Sequence, residues 1–178
     1  MMRARVATLA RALSAVCALA AVGCGAIGFD VEQAVPEQQV NGSPLGALLG
    51  SFLPQPFAIT IDVKQETQKR STGPARSANL KEIAFRTTPH DAPRGNFDFV
   101  DEIHIFIAAQ GSSALPMVEI ATLKPVPKGL TTIKLDIVPG IDLLPYINAG
   151  ATISATATGR QPAQTITYDG SVIVTIHI

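Results

Sequence analysis

Apolar and polar positions along the chain follow three successive patterns. Ala12 to Val22 is a mainly apolar run carrying Leu13, Val16, Leu19 and Val22. Farther on, Leu45, Leu48, Leu49, Phe52 and Leu53 recur at three- and four-residue spacing behind Ser43-Pro44. That spacing predicts a short amphipathic helix, with Ser43 as N-cap and Pro54 as terminator. It would close one end of a core, or meet lipid or a partner near the chain start. From Phe57 onward the period becomes two, which places alternate residues on one face of a strand.

Ile59, Ile61 and Val63 alternate with Thr60, Asp62 and Lys64 and predict a half-buried strand. Further strands follow from Leu80 to Thr87, through Ile103, Ile105 and Ile107, from Met117 to Lys124, and through Ile133, Leu135 and Ile137. Phe29 and Val31 suit an earlier one. Ala151 to Thr158 is a Thr/Ala-rich strand, and Asp142 to Asn148 suits one helical turn despite Pro145. Pro125-Val126-Pro127-Lys128-Gly129 reads as a turn. Asp169-Gly170 reads as a tight turn between Thr165–Tyr168 and Ser171–Ile178, Asp-Gly being a favoured hairpin pair. Val172, Val174, Ile176 and Ile178 alternate to the end of the last strand, so it belongs in a sheet interior, where no sticky edge is exposed.

About eight strands at roughly 10- to 20-residue spacing, with one or two short helices, predict a mainly β fold, an antiparallel β-sandwich. A β-barrel is the alternative. The β-sandwich domain is residues 57–178, behind residues 24–56, which hold a linker and the short helix, and a leader of residues 1–23.

The amino-terminal segment has the order of an export signal. Arg3, Arg5 and Arg11 make it positive, and no acid appears before Asp30. Its apolar stretch is about 11 residues, whereas a helix needs roughly 20 to span a bilayer. Ala21-Val22-Gly23-Cys24 resembles the lipobox of bacterial lipoproteins. The likeness covers the signal alone, and Ala21 stands where that family favours Leu. It implies cleavage before Cys24 and lipidation of the Cys24 thiol, with the membrane as the partner held through covalent lipid. Several acyl chains, at ~0.8 kcal/mol per buried methylene, hold where one would not. Gly25 in place of the Asp that commonly marks inner-membrane retention favours the outer membrane, on its periplasmic face or surface. The region from Phe97 onward resembles envelope lipoproteins more generally, with no activity implied.

Cysteine usage agrees with this assignment. Cys17 and Cys24 are the two cysteines, so the exported part has no pair for a disulfide. Removing Arg3, Arg5 and Arg11 leaves 14 less 3, or 11, basic residues against 14 acidic. A slightly acidic domain argues against nucleic acid as a partner. The densest basic patch, Lys69-Arg70 with Arg76, reads as a solvated loop or edge strand. With Trp absent and Tyr146 and Tyr168 the two tyrosines, stacking surfaces for sugars are scarce.

Candidate chemistry is thin. His90, His104 and His177 lack metal-ligand spacing, and no metal or other cofactor is expected. His104 and His177 fall on polar strand faces. His90-Asp91 suits an oriented imidazole but lacks a visible nucleophile, and Gly111-Ser112-Ser113 lacks the nucleophile-elbow pattern. Asp98, Asp101 and Glu102 put three carboxylates beside Phe97 and Phe99. They suit a calcium site less well than a turn whose rings plug the core while the acids stay wet. The expectation is a lipid-anchored envelope protein, not an enzyme, that binds or scaffolds an envelope protein partner. The alternative is a carrier of lipid or another apolar ligand in the periplasm, its Ile, Leu and Val residues lining a pocket. An enzyme would require distant polar residues to converge around His90.

Overall fold

The computed structural model describes residues 28–43, 45, 47–49, 52–53, 56–89, 95–110 and 115–178. The leader, Cys24, His90, Asp91 and Gly111-Ser112-Ser113 lie outside the described residues. The elements in chain order are β1 (Gly28–Val40), β2 (Phe57–Ala58), α1 (Val63–Lys69), β3 (Ser77–Thr87), β4 (Val100–Ala109) and β5 (Val118–Leu123). They are followed by β6 (Thr132–Lys134), β7 (Asp136–Ile137), α2 (Leu144–Asn148), β8 (Ala151–Gly159) and β9 (Ile166–His177). One sheet has the order β1-β9-β3-β6 and the other β2-β8-β4-β5-β7. Their strand pairs are antiparallel. The fold is therefore an antiparallel β-sandwich with two short helices, and the sheets do not close into a barrel.

Alternation builds the core. Ile83 and Phe85 of β3, Ile103, Ile105 and Ile107 of β4, and Val172, Val174 and Ile176 of β9 all point between the sheets and are buried. Each such side chain contributes roughly 1.5–3 kcal/mol on leaving water. β9 lies between β1 and β3, so the apolar last strand sits inside its sheet, as its pattern requires. Gly28–Val40 pairs with β9 along its length, and the sandwich thus draws on residues ahead of Phe57. On that side Gln33 ties the sheets together: its Nε2 donates to Ala58 O (2.9 Å) and its Oε1 accepts from Thr60 N (2.8 Å). On the other side one segment serves both sheets. Thr132–Lys134 pairs with β3, then Asp136–Ile137 pairs with β5. The switch occurs at Leu135, whose N–H still donates to Ile83 O.

Three local expectations are corrected. Asp169-Gly170 is not a hairpin turn, because β9 runs through it unbroken from Ile166 to His177. Gly170 is needed for close approach: a Cβ there would lie 2.4 Å from Ala84 O and 2.7 Å from the Phe85 ring. The strand expected through Val63 ends early, and Val63–Lys69 is helical. Asp62 Oδ1 accepts from Gln65 N at 2.9 Å, and Asp62-Val63-Lys64-Gln65 has capping-box spacing that outweighs one more step of alternation. Ile59, Ile61 and Val63 are still buried.

The helix expected over Leu45–Leu53 is absent from the described residues of that segment. Its backbone bonds go to the far end of β8 instead, Leu49 N donating to Gly159 O and Ala47 O accepting from Gln161 N. Leu49, Phe52 and Leu53 are buried, whereas Leu45 and Leu48 are exposed. Phe52 nevertheless closes the core, stacked on Tyr168 with ring centroids 4.8 Å apart and edge-on to Phe85 at 5.0 Å.

Candidate functional site

A cleft of about 590 Å³ opens at one end of the sandwich, where the segments before β4 and between β8 and β9 meet. Its place follows from the register. Val100 opposes Gly159, Thr87 opposes Tyr168 and Val40 opposes Ile166, so the carboxyl ends of β1, β3 and β8 gather here. Gly159 permits the approach: its φ is +147°, and a Cβ would fall 2.2 Å from Phe99 O. Arg160 N then donates to Phe99 O at 2.9 Å, and the chain crosses to the other sheet through residues 161–165.

The cleft lining is mixed. Phe99, Pro162, Ala163 and Ile166 supply apolar surface, and Thr88, Asn96, Arg160 and Gln164 are among the polar residues that line it. Thr88 Oγ1 donates to Thr167 Oγ1 at 2.7 Å, and Thr88 N donates to Thr167 O at 2.9 Å. Asp98 is tied down by its own loop. Its Oδ2 accepts from Asn96 Nδ2 at 2.9 Å, and its Oδ1 accepts from Gly129 N. Arg160 is exposed on the wall. The arrangement suits recognition of a ligand by several neutral hydrogen-bonding groups and one cation.

The residues singled out in the sequence do not assemble into one site. His104 lies on the outer face of the five-stranded sheet, its Nδ1 2.7 Å from Glu119 Oε1 and its Nε2 3.7 Å from Glu102 Oε2. His177 is on the other sheet, opposite Gly28 at the end of β9 remote from the cleft. The three carboxylates near Phe97 diverge. Asp101 and Glu102 meet Lys128 Nζ (2.9 Å) and Lys124 Nζ (3.0 Å), and Lys128 also donates to Asp98 O and Val100 O. Phe97 and Phe99 are buried beside them. Among the described residues no three His, Cys, Asp or Glu side chains are grouped to hold a metal.

The basic patch divides between a helix end and a loop. Lys69 and Arg70 both pair with Glu66, and Arg70 also lies 4.2 Å over the Phe29 ring. The hydrogen bond from Lys69, then that from Arg70, holds the Glu66 carboxyl below its ordinary range. Asp30 is lowered likewise by Lys81 and then Thr175. Both carboxylates are at the surface.

One buried polar atom stands out. The Tyr168 ring packs among Phe52, Phe85 and Phe97, and its buried hydroxyl has no hydrogen-bond partner among the described residues. Burial pushes its ionisation well above the ordinary tyrosine value.

The cleft residues gave no motif signal. Arg160-Gln161-Pro162-Ala163-Gln164 is an ordinary polar connection in sequence, and it becomes a wall only because β8 and β9 belong to different sheets.

No family model and no curated protein matches the chain. Among solved structures it is similar to a 60-mer BFDV capsid protein, at 15% identity over 85% of this chain and 94% of that one, with a TM-score of 0.33. A likeness at that score carries no functional argument.

Proposed function

We propose that this is a lipid-anchored cell-envelope protein, held through Cys24, whose sandwich is a non-enzymatic binding or scaffold module. The cleft is its contact surface for another envelope component. The observation that carries this reading is the cleft itself, at a loop end where unrelated sandwiches also place their recognition loops. Outer-membrane attachment follows from Gly25 after the lipidated Cys. No helix among the described residues is long and apolar enough to cross a membrane.

A carrier of lipid would need an apolar cavity able to take an acyl chain. The space between the sheets is occupied by side chains such as Ile103, Ile105, Ile107 and Val174, all fully buried. That packing favours the binding module over the carrier.

The test is intact mass and membrane fractionation of the wild type beside Cys24→Ala, with an organic extract of the purified protein. The expected result is an acylated species starting at Cys24 in the membrane fraction, and an unlipidated or uncleaved Cys24→Ala product. An unmodified soluble wild type would refute the anchor. Stoichiometric lipid beyond the covalent chains would favour the carrier. For the cleft, Arg160→Glu should lower cross-linking to membrane partners from a site placed at Ala163, and an unchanged cross-linking pattern would count against it.

A further inference from the structure

The start of β1 and the cleft lie at opposite ends of the sandwich. β1 begins at Gly28, and its first residue is already paired with His177. Three residues separate Cys24 from Gly28. Even fully extended, that connection spans no more than about 14 Å. From Gly28, β1 runs 13 residues to Val40 at the cleft end. At ~3.3 Å per residue this is about 40 Å.

The end of the sandwich at Gly28 is therefore held close to whatever surface Cys24 enters. Antiparallel pairing fixes its composition: Gly28 and Ser77 both oppose His177, so the starts of β1 and β3 meet the end of β9 there. Residues 70–76, between α1 and β3, join them: Arg76 N donates to His177 O at 2.8 Å, and Arg70 covers Phe29.

The acids at this end are engaged within the protein. Glu66 accepts from Lys69 and Arg70, and Asp142 Oδ1 accepts from Ala78 N and Leu144 N. Lys69 keeps 57% of its side-chain surface exposed. Arg76 is exposed and forms no ion pair among the described residues.

From this geometry we infer that the Gly28 end rests on the lipid headgroups, with Arg76 and Lys69 meeting lipid phosphates, and that the sandwich stands upright. The inference rests on the anchoring of Cys24 proposed above. Guanidinium and ammonium groups suit phosphate oxygens, and basic residues near an anionic membrane surface are drawn to it. The cleft then opens about 40 Å above the headgroups, toward a partner rather than toward the bilayer.

The experiment uses the lipidated full protein in phosphatidylcholine/phosphatidylglycerol vesicles containing headgroup-nitroxide lipid. Gly73→Cys and Ala163→Cys are labelled separately with a fluorophore. With Cys24 acylated, each variant offers one reactive thiol. Intact mass of the same sample reports whether the lipid is present. Given the tether and strand lengths, quenching at residue 73 should exceed that at residue 163 by at least about threefold. Adding Lys69→Glu and Arg76→Glu should lower the quenching at 73 by roughly half or more.

Lipidated protein with equal quenching at the two sites would overturn the upright orientation and leave the anchor standing. Quenching at 73 unaffected by the charge reversal would overturn the phosphate contact. A mass without lipid would overturn the anchor and the inference together.

Discussion

Replacing Gly170 by Ala tests how the sheet around β9 is built. A methyl group there would sit 2.4 Å from Ala84 O and 2.7 Å from the Phe85 ring. The backbone oxygen cannot swing aside as a side chain can. Relief to 3.0 Å requires β9 and β3 to separate by at least 0.6 Å at this point, in the middle of a strand paired on both sides. Overpacking of this kind costs about 1–3 kcal/mol. Weakening one or two ladder hydrogen bonds adds about 1 kcal/mol. The expected loss is thus about 2–4 kcal/mol. For a domain of about 150 residues that lowers the melting temperature by roughly 5–15 °C.

The assay is urea and thermal unfolding followed by circular dichroism, with Gly73→Ala as control. Gly73 is exposed, and its added Cβ would make an ordinary 3.4 Å contact with Ile178. The control should change stability by about 0.5 kcal/mol or less, with a small gain from a stiffer unfolded chain. Gly170→Asn adds a second discrimination. A turn that requires positive φ would accept Asn better than Ala, whereas a crowded strand position rejects the larger side chain more strongly. A Gly170→Ala loss below about 0.5 kcal/mol, or an Asn variant more stable than the Ala variant, would refute close approach as the reason for this glycine.

The other predictions concern single groups. Tyr168→Phe should leave stability unchanged or raise it by about 1 kcal/mol in the same unfolding assay, because it removes a buried hydroxyl without a partner; a loss above 1 kcal/mol would mean that the hydroxyl is bonded. Because the folded state resists ionising Tyr168, its contribution is complete below the ordinary tyrosine value of 10.0 and falls as pH rises above it, where only the unfolded chain releases the proton. Wild type should therefore lose more stability than Tyr168→Phe between pH 9 and 11, and parallel pH profiles would contradict this. Asp62→Ala should cost about 1 kcal/mol through loss of the α1 N-cap, with Asp62→Ser recovering most of it. Gln33→Ala should cost about 1–2 kcal/mol and speed amide exchange at Thr60 first, since both hydrogen bonds of that bridge are lost.

Much of the sandwich was legible because alternation is a local property. Ile103, Ile105 and Ile107 face one way in any extended chain, and their burial follows once a second apolar face exists. The one-turn helix at Leu144–Asn148 forms despite Pro145, which falls in the first turn, where a missing N–H removes no intrahelical bond. Errors arose where two local signals competed. Asp62 as cap overrode the strand phase of Ile59 and Ile61, and the Leu45–Leu53 spacing matched a helix although its backbone partners were a hundred residues away. Asp-Gly is permissive rather than compulsory as a turn, and here the missing Cβ mattered more than a bend.

The candidate site divides in the same way. Taken alone, the sequence determined the two-residue period, the β class and the apolar pattern of the last strand, because each depends on neighbours a few residues apart. The tertiary structure decided which strands share a sheet, where Leu135 passes from one sheet to the other, and that Thr88, residues 95–99 and residues 160–167 enclose a cleft. Those outcomes depend on which distant backbones find one another. A polar loop such as 160–165 carries no periodicity to record that pairing, so its role emerged only when β8 and β9 took their places in opposite sheets.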